Sequence, residues 1–343
     1  MKSKERTEKN REKRKAEKER KCLIKDANKA LILTPKKTFK SMGLISFDPS
    51  GAFCFEEGRW LKTYVVTGNI SALVEASLNL KSRLRITEKI TTAKGEPTDE
   101  EYFVSLVAAG DIYDSIRKQF EADEEVLQEM IGVRALTVDE VLNVIDSQLS
   151  EKKRSSSYAS FVRAKKNLFK EIFPEVKERR DFFQVKESYG MSMFIKEYPS
   201  DAEGNVLNLL KELGCPVYVT FDFVKVSKSD KEDYVRTLEK RYARSLSPDR
   251  VEDFLNVSGE ITILCDSRDA LEIVKKTVRK IFERSGFLVA NVYGGQRECF
   301  LSQVSLGLLD YKNLRNVSIE TMNELIRRQY GSNQNKIRTN EDV

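Results

Sequence analysis

Histidine is absent from all 343 residues. That absence excludes Ser-His-Asp and Cys-His nucleophilic catalysis and removes the commonest transition-metal ligand. Cysteine is sparse and scattered. Cys22, Cys54, Cys215, Cys265 and Cys299 include no CxxC pair. That pattern argues against a zinc site or a redox motif, and an odd count fits a reducing compartment. The five read as small buried hydrophobes. No apolar run approaches the roughly 20 residues of a membrane span. No apolar stretch follows the basic N-terminus as a secretory signal requires, so a cytoplasmic chain is expected. A phosphate-cradling G-x-x-x-x-G-K-[ST] loop is also missing. Gly294-Gly295 runs on into Gln-Arg-Glu, without the Lys and hydroxyl that such a loop places on phosphate and Mg²⁺. No acidic pair stands out from the charge background. No catalytic residue, cofactor or metal is assigned, and the chain is not expected to be an enzyme. A buried, strongly perturbed carboxylate pair is the feature that would favour one.

Charge, by contrast, is abundant and unevenly placed. Residues 1–21 hold 11 Lys/Arg and 5 Glu, a net +6 that equals the formal charge of the whole chain. The remainder is therefore balanced, and the sequence pI of about 8.8 belongs to the N-terminal tail. Glu5 with Lys9 and Glu17 with Lys21 are favourable i,i+4 pairs. The tail has no apolar face, which excludes a membrane-embedding amphipathic helix. Its plain reading is a solvated helix. Its functional reading is a weak, salt-sensitive contact with nucleic acid or an anionic membrane through Lys9, Arg11, Lys13, Arg14 and Lys15.

The body is organised around residues 182–227. The extended run 188–198 ends at Pro199, which cannot donate to a ladder. Ser200 with Glu203 has capping-box spacing. Val206, Leu209, Leu210 and Leu213 then recur at helical spacing, and Gly214 stands where a helix C-cap wants glycine. Val217, Val219, Phe221 and Phe223 next alternate with Tyr218, Thr220, Asp222 and Val224, a strand. After a charged helix over 230–246, a second strand–helix–strand set covers 259–266, 268–285 and 287–293. This is a ferredoxin-like plan with a helical insertion. The earlier region has strands at 44–47, 52–55, 60–67 and 84–91. Its helices carry Ile70, Leu73 and Val74, span 112–131, and run to 149 from a cap of Thr137 with Glu140. It reads as a diverged version of the same plan. The expectation is an α+β chain of two lobes, each an antiparallel or mixed sheet with helices on one face. Residues 1–41 form the basic tail and connector, disordered or a frayed helix, and 42–150 the first lobe. A linker follows over 151–186, with a short helix near 161–173. The ferredoxin-like second lobe takes 187–330 and a polar tail 331–343.

Several stretches carry a resemblance. They are Lys62-Thr-Tyr-Val-Val-Thr-Gly-Asn-Ile70, Leu136-Thr-Val-Asp-Glu-Val-Leu, Phe194-Ile-Lys-Glu-Tyr-Pro199 and Gln296-Arg-Glu-Cys-Phe-Leu-Ser302. Ser305-Leu-Gly307 and Arg315-Asn-Val-Ser-Ile-Glu-Thr-Met322 complete the set. In order, over about residues 40–327, they resemble the N-terminal region of the large conjugation ATPases of type IV secretion systems, the VirB/TrbE/TraE-type family. The family has Leu-Pro-Leu-Gly where this chain has Val304-Ser-Leu-Gly. It then continues into a RecA-like motor whose P-loop this chain does not contain. The resemblance implies a non-catalytic assembly or docking module of a conjugative transfer machine, equivalent to the N-terminal half of its ATPase. Its implied partners are a motor ATPase, membrane-channel components or further copies of itself, in the cytoplasm or at the inner face of the membrane. The alternatives are a truncated or split-gene ATPase half served by a separately encoded motor chain, or a nucleic-acid-binding accessory protein using the basic tail. The segment that leads to the motor in the family is the candidate partner surface: Gln296, Arg297, Phe300, Leu306, Leu308 and Leu309. Its apolar members either fold back into the second lobe or leave an exposed patch for a partner.

Overall fold

The computed structural model describes residues 2–34, 42–91, 99–149, 175–199, 206–226 and 254–330, with isolated positions between these spans. A long helix α1 (Lys2–Ala27) precedes strands β1 (Ile32–Leu33), β2 (Leu44–Phe47), β3 (Ala52–Phe55) and β4 (Arg59–Val66). Then come α2 (Leu73–Asn79), β5 (Arg83–Thr91), β6 (Asp99–Ala109), α3 (Tyr113–Met130), β7 (Val133–Ala135) and α4 (Val138–Leu149). The second half holds β8 (Val176–Glu178), β9 (Phe183–Val185), β10 (Ser188–Glu197) and the short helix α5 (Val206–Leu209), which tightens into a 3₁₀ turn. It continues with β11 (Val217–Lys225), β12 (Phe254–Cys265), α6 (Arg268–Arg284), β13 (Leu288–Asn291), α7 (Gln296–Val304), β14 (Arg315–Ser318) and α8 (Ile319–Tyr330). Two sequence signals act as read. Thr137 and Glu140 form a reciprocal capping box at α4, with Glu140 N–H to Thr137 Oγ1 at 3.3 Å and Thr137 N–H to Glu140 Oε2 at 2.8 Å. Gly214 closes the α5 turn at φ +67°.

The ladders reveal a repeated topology. In the first half the strand order is β7-β4-β6-β5, and in the second it is β11-β12-β10-β13, antiparallel throughout. Numbered within each half, these are 4-1-3-2 and 2-3-1-4, the split βαβ order twice over. The likeness extends to the edges. On β4, β3 lies opposite residues 60–62 and β7 opposite 64–66. On β10, β9 lies opposite 188–190 and β13 opposite 193–197. Each fourth strand is followed by a helix, α4 or α7.

The expected α+β class is observed. Two details of the expectation are corrected. The lobes do not keep separate sheets: β5 and β11 pair from Ile90↔Val217 to Leu84↔Phe223, so one continuous sheet runs through both. Each of these strands is the open edge of its own unit, and pairing satisfies both rows of backbone groups at once. Nor are the helices confined to one face. α2, α3, α5, α6 and α8 pack with Tyr64, Ile86, Val104, Val219, Phe221 and Ile261 on one side. α4 and α7 cover Leu61, Phe103, Phe183 and Tyr218 on the other. The central strands carry apolar groups on both faces, and each face needs a layer. Part of the expected linker is also sheet, because β8 and β9 form a hairpin onto β10. The cap at Ser200, the 331–343 tail and most of the helices expected near 161–173 and 230–246 lie outside the described residues; positions 172, 231–233 and 236 are helical. Among the described residues no helix is long and apolar enough to cross a membrane.

Candidate functional site

On the face covered by α4 and α7, a row of polar side chains crosses the seam. Thr63, Ser105, Arg85, Asp222 and Ser258 stand opposite one another in turn across β4, β6, β5, β11 and β12. All are buried; Arg85 is 1% exposed and Asp222 0%. The Thr63 and Ser105 hydroxyls are 3.1 Å apart. Asp222 lies 3.5 Å from Arg85 Nε and 3.5 Å from Arg83 Nε, within ion-pair range but without hydrogen-bond alignment. One carboxylate therefore balances two guanidiniums by charge and not through a fork. Glu260, two residues along β12 on the same face, accepts a hydrogen bond from the Ser258 hydroxyl.

The chain segment after α7 is fastened over this row. The helix ends with Gly307 N–H bonded to Ser302 O at 3.0 Å and Leu306 N–H to Gln303 O at 3.1 Å, a Schellman closure. Its left-handed position, normally glycine, is Leu306 at φ +54°, and Gly307 follows at φ +89°. That conformation costs a leucine about 1–2 kcal/mol. Full burial of the side chain returns about 1.5–3 kcal/mol, so burial decides. A Cβ on Gly307 would lie 3.1 Å from Leu61 Cδ1 and 3.2 Å from Arg85 Cδ and Nη1, so only glycine lets the turn rest on the guanidinium. Arg59 donates to the carbonyls of Gly307 (3.0 Å) and Leu308 (2.7 Å). Ser105 donates to Leu306 O (2.8 Å), Arg85 to Ser302 Oγ (2.7 Å) and Arg83 to Asp310 (2.9 Å). Asn313 N–H reaches Ser258 Oγ. At the start of α7, Gln296 accepts from Ser192 N–H (2.6 Å) and donates to Ser192 O (3.0 Å). Residues 296–313 are thus strapped to strands of both units.

Burial and charge set the protonation of this cluster. Burial, and then the Asp222 charge, push the Glu260 carboxyl up to about 8, so it is mostly protonated at neutral pH. Burial would raise Asp310 as well, but Arg83, which bonds it, with Lys312 and Arg59, brings it down to about 2. Burial lowers Arg59 to about 10, Arg83 and Arg85 adding repulsion against the pull of Asp310. Glu260 therefore holds a proton beside Asp222, which lies against the two guanidiniums. Neither meets solvent, since Glu260 is also buried.

The candidate partner surface is corrected in its geometry. Gln296, Phe300, Leu306 and Leu308 are buried in the α4/α7 core and Leu309 is partly buried, leaving Arg297 exposed. Phe300 stacks on Phe183 with ring centroids 4.6 Å apart and meets Tyr218 edge-on. The apolar members fold back, but onto both units rather than into the second lobe alone as one of the two sequence alternatives had it. In the tail, Arg11, Lys13, Arg14 and Lys15 are exposed along α1; Lys9 lies in the helix with its side chain outside the described ones. Lys21 and Glu17 pair at 2.7 Å as expected. The helix is rooted by Asn28, which bonds Asp111 O (2.9 Å) and accepts from Tyr113 N–H (2.8 Å). Sequence reasoning missed Arg59, Arg83, Arg85, Asp222 and Glu260. The available signal was a charge inside an apolar strand, Asp222 between Phe221 and Phe223 above all. No known family profile matches the chain, and no curated protein matches it significantly.

Proposed function

We propose that this chain is a non-catalytic docking platform of a conjugative transfer machine, equivalent to the N-terminal half of a type IV secretion ATPase. The support is the resemblance over residues 40–327, together with one structural observation. The segment that would lead to a motor is strapped by Arg59, Arg83 and Arg85 across the seam of a doubled unit. Such a strap joins the two units on the chain side from which the motor would follow. Its working location on this reading is the cytoplasm or the inner face of the membrane. Its partners are a motor chain, covalently continuous or separately encoded, and channel components. The test is co-purification with a P-loop motor chain encoded beside it, together with nucleotide binding by the chain alone. Capture of the motor, and no saturable binding of a fluorescent ATP analogue, support the reading. Binding of the analogue below about 10 μM, competed by ATP, overturns it.

A second reading rests on the exposed basic face of α1. It makes the chain a nucleic-acid-binding accessory, and retention of salt-dependent DNA binding after removal of residues 2–21 would refute the tail as its site.

A further inference from the structure

Two of the five cysteines meet. Val217 is paired with Ile263, and Leu264 N–H donates to Pro216 O at 3.0 Å. The next positions out along that ladder are Cys215 and Cys265. Because 216 and 264 form a hydrogen-bonded pair, 215 and 265 fall at a non-hydrogen-bonded pair, where Cα atoms lie about 4.5 Å apart. That is inside the about 4.4–6.8 Å range that a disulfide spans. Both side chains belong to the same apolar cluster, Cys215 7% and Cys265 5% exposed. Their thiols share a hydrogen bond, which raises Cys215 and lowers Cys265. The other thiols are placed differently, Cys54 buried in β3, Cys299 buried in α7 and Cys22 exposed on α1.

We propose that Cys215 and Cys265 form a reversible redox site, closed to a cross-strand disulfide by small-molecule disulfides of the glutathione class. The Cys265 thiolate attacks one sulfur of the oxidant, whose S–S bond breaks and releases one thiol. Cys215, giving up its proton, then attacks the Cys265 sulfur of the mixed disulfide and expels the second thiol. Two protein thiols are oxidised and one disulfide is reduced to two thiols, with no further reagent. The closed bond ties β11 to β12 at the end of the ladder opposite the long connection between them, which encloses a loop of about fifty residues.

The test uses the full chain carrying Cys22→Ser, to prevent cross-linking between molecules. It is treated with oxidised glutathione, alkylated and digested without reductant. The expected result is one peptide pair joined through Cys215 and Cys265, with Cys54 and Cys299 recovered alkylated. The melting temperature should rise on oxidation and return with dithiothreitol. Cys265→Ala should abolish both changes, and Cys215→Ala should stop the reaction at the glutathione adduct of Cys265. Recovery of both residues as alkylated thiols overturns the proposal. So does a wild-type adduct on Cys265 that Cys215 never resolves, or a bond from either residue to Cys54 or Cys299.

Discussion

Replacing Glu260 by Gln should remove a pH dependence of stability that this buried acid carries. The Glu260 carboxyl stands at about 8 in the folded chain against its ordinary 4.5. A raised acid binds its proton more tightly when folded. Its contribution is fully present below the unfolded value and is lost as pH rises toward the folded one. Within that window each pH unit removes about 1.4 kcal/mol. Between pH 5 and 7.5 the wild type should therefore lose about 3 kcal/mol that Glu260→Gln does not lose. The group is fully buried, so solvent screening takes little from this figure. Asp310, brought down to about 2, acts in the opposite sense: its contribution is present above its ordinary 3.8 and is lost as pH falls, outside the window. The absence of histidine clears the window further, because that side chain ordinarily titrates there. Gln keeps the shape and an acceptor for the Ser258 hydroxyl. The assay is urea unfolding at constant ionic strength, followed by the fluorescence of Trp60, the one tryptophan and fully buried. The two stability curves should lie close at pH 5 and diverge steadily to pH 7.5 with unchanged m-values. Parallel curves would refute the placement of a buried proton on Glu260.

Asp222→Asn strips the carboxylate that faces two buried guanidiniums and should cost about 3–5 kcal/mol in the same urea assay at pH 7. It should also flatten the wild-type pH slope, since Glu260 loses its negative neighbour. Gly307→Ala forces a Cβ at φ +89° onto Leu61 and Arg85, and a loss of more than about 1 kcal/mol is expected from denaturant midpoints. Among the described residues, removal of residues 2–21 breaks one exposed pair to the body, Arg20–Asp111, so calorimetry should find the melting temperature within a degree or two of the full chain.

The repeated plan was legible where local pattern carries it. Val217, Val219, Phe221 and Phe223 alternate because they line the apolar face of β11, the other, equally buried face holding Tyr218, Thr220 and Asp222, and Thr137 with Glu140 names a helix start whatever surrounds it. β6 was passed over, because its opening Asp99-Glu-Glu reads as loop until Tyr102 and Val104 find β5 and β4 beside them. β7, β8 and β9 are three residues each, too short for a period to register. The seam was invisible for a different reason. Arg85 opposite Asp222 is a long-range pairing, and nothing within reach of either residue in sequence specifies the other. The polar row carries no sequence signal of burial because charges inside a strand are ordinarily solvated. Here α7 and the turn at Leu306 bring a polar cover of their own, Ser302 Oγ and the carbonyls of 306–308. α7 itself resisted reading because its residues are buried almost all round, which leaves no stripe to detect.

The seam has the geometry of an isologous dimer written into one chain: like strands, antiparallel, about an axis near the Thr87↔Thr220 pair. Separate copies of the first unit would be free to meet the same way, β5 against β5 about Thr87. That register sets Arg85 opposite Lys89, cation facing cation, where the fused chain sets Arg85 opposite Asp222. Like charges directly opposed destabilise a ladder. Within one chain the two edges are free to carry opposite charges. The same charges make β5 a poor match for its own duplicate on a neighbouring molecule, which protects that strand from strand exchange while the chain is still folding.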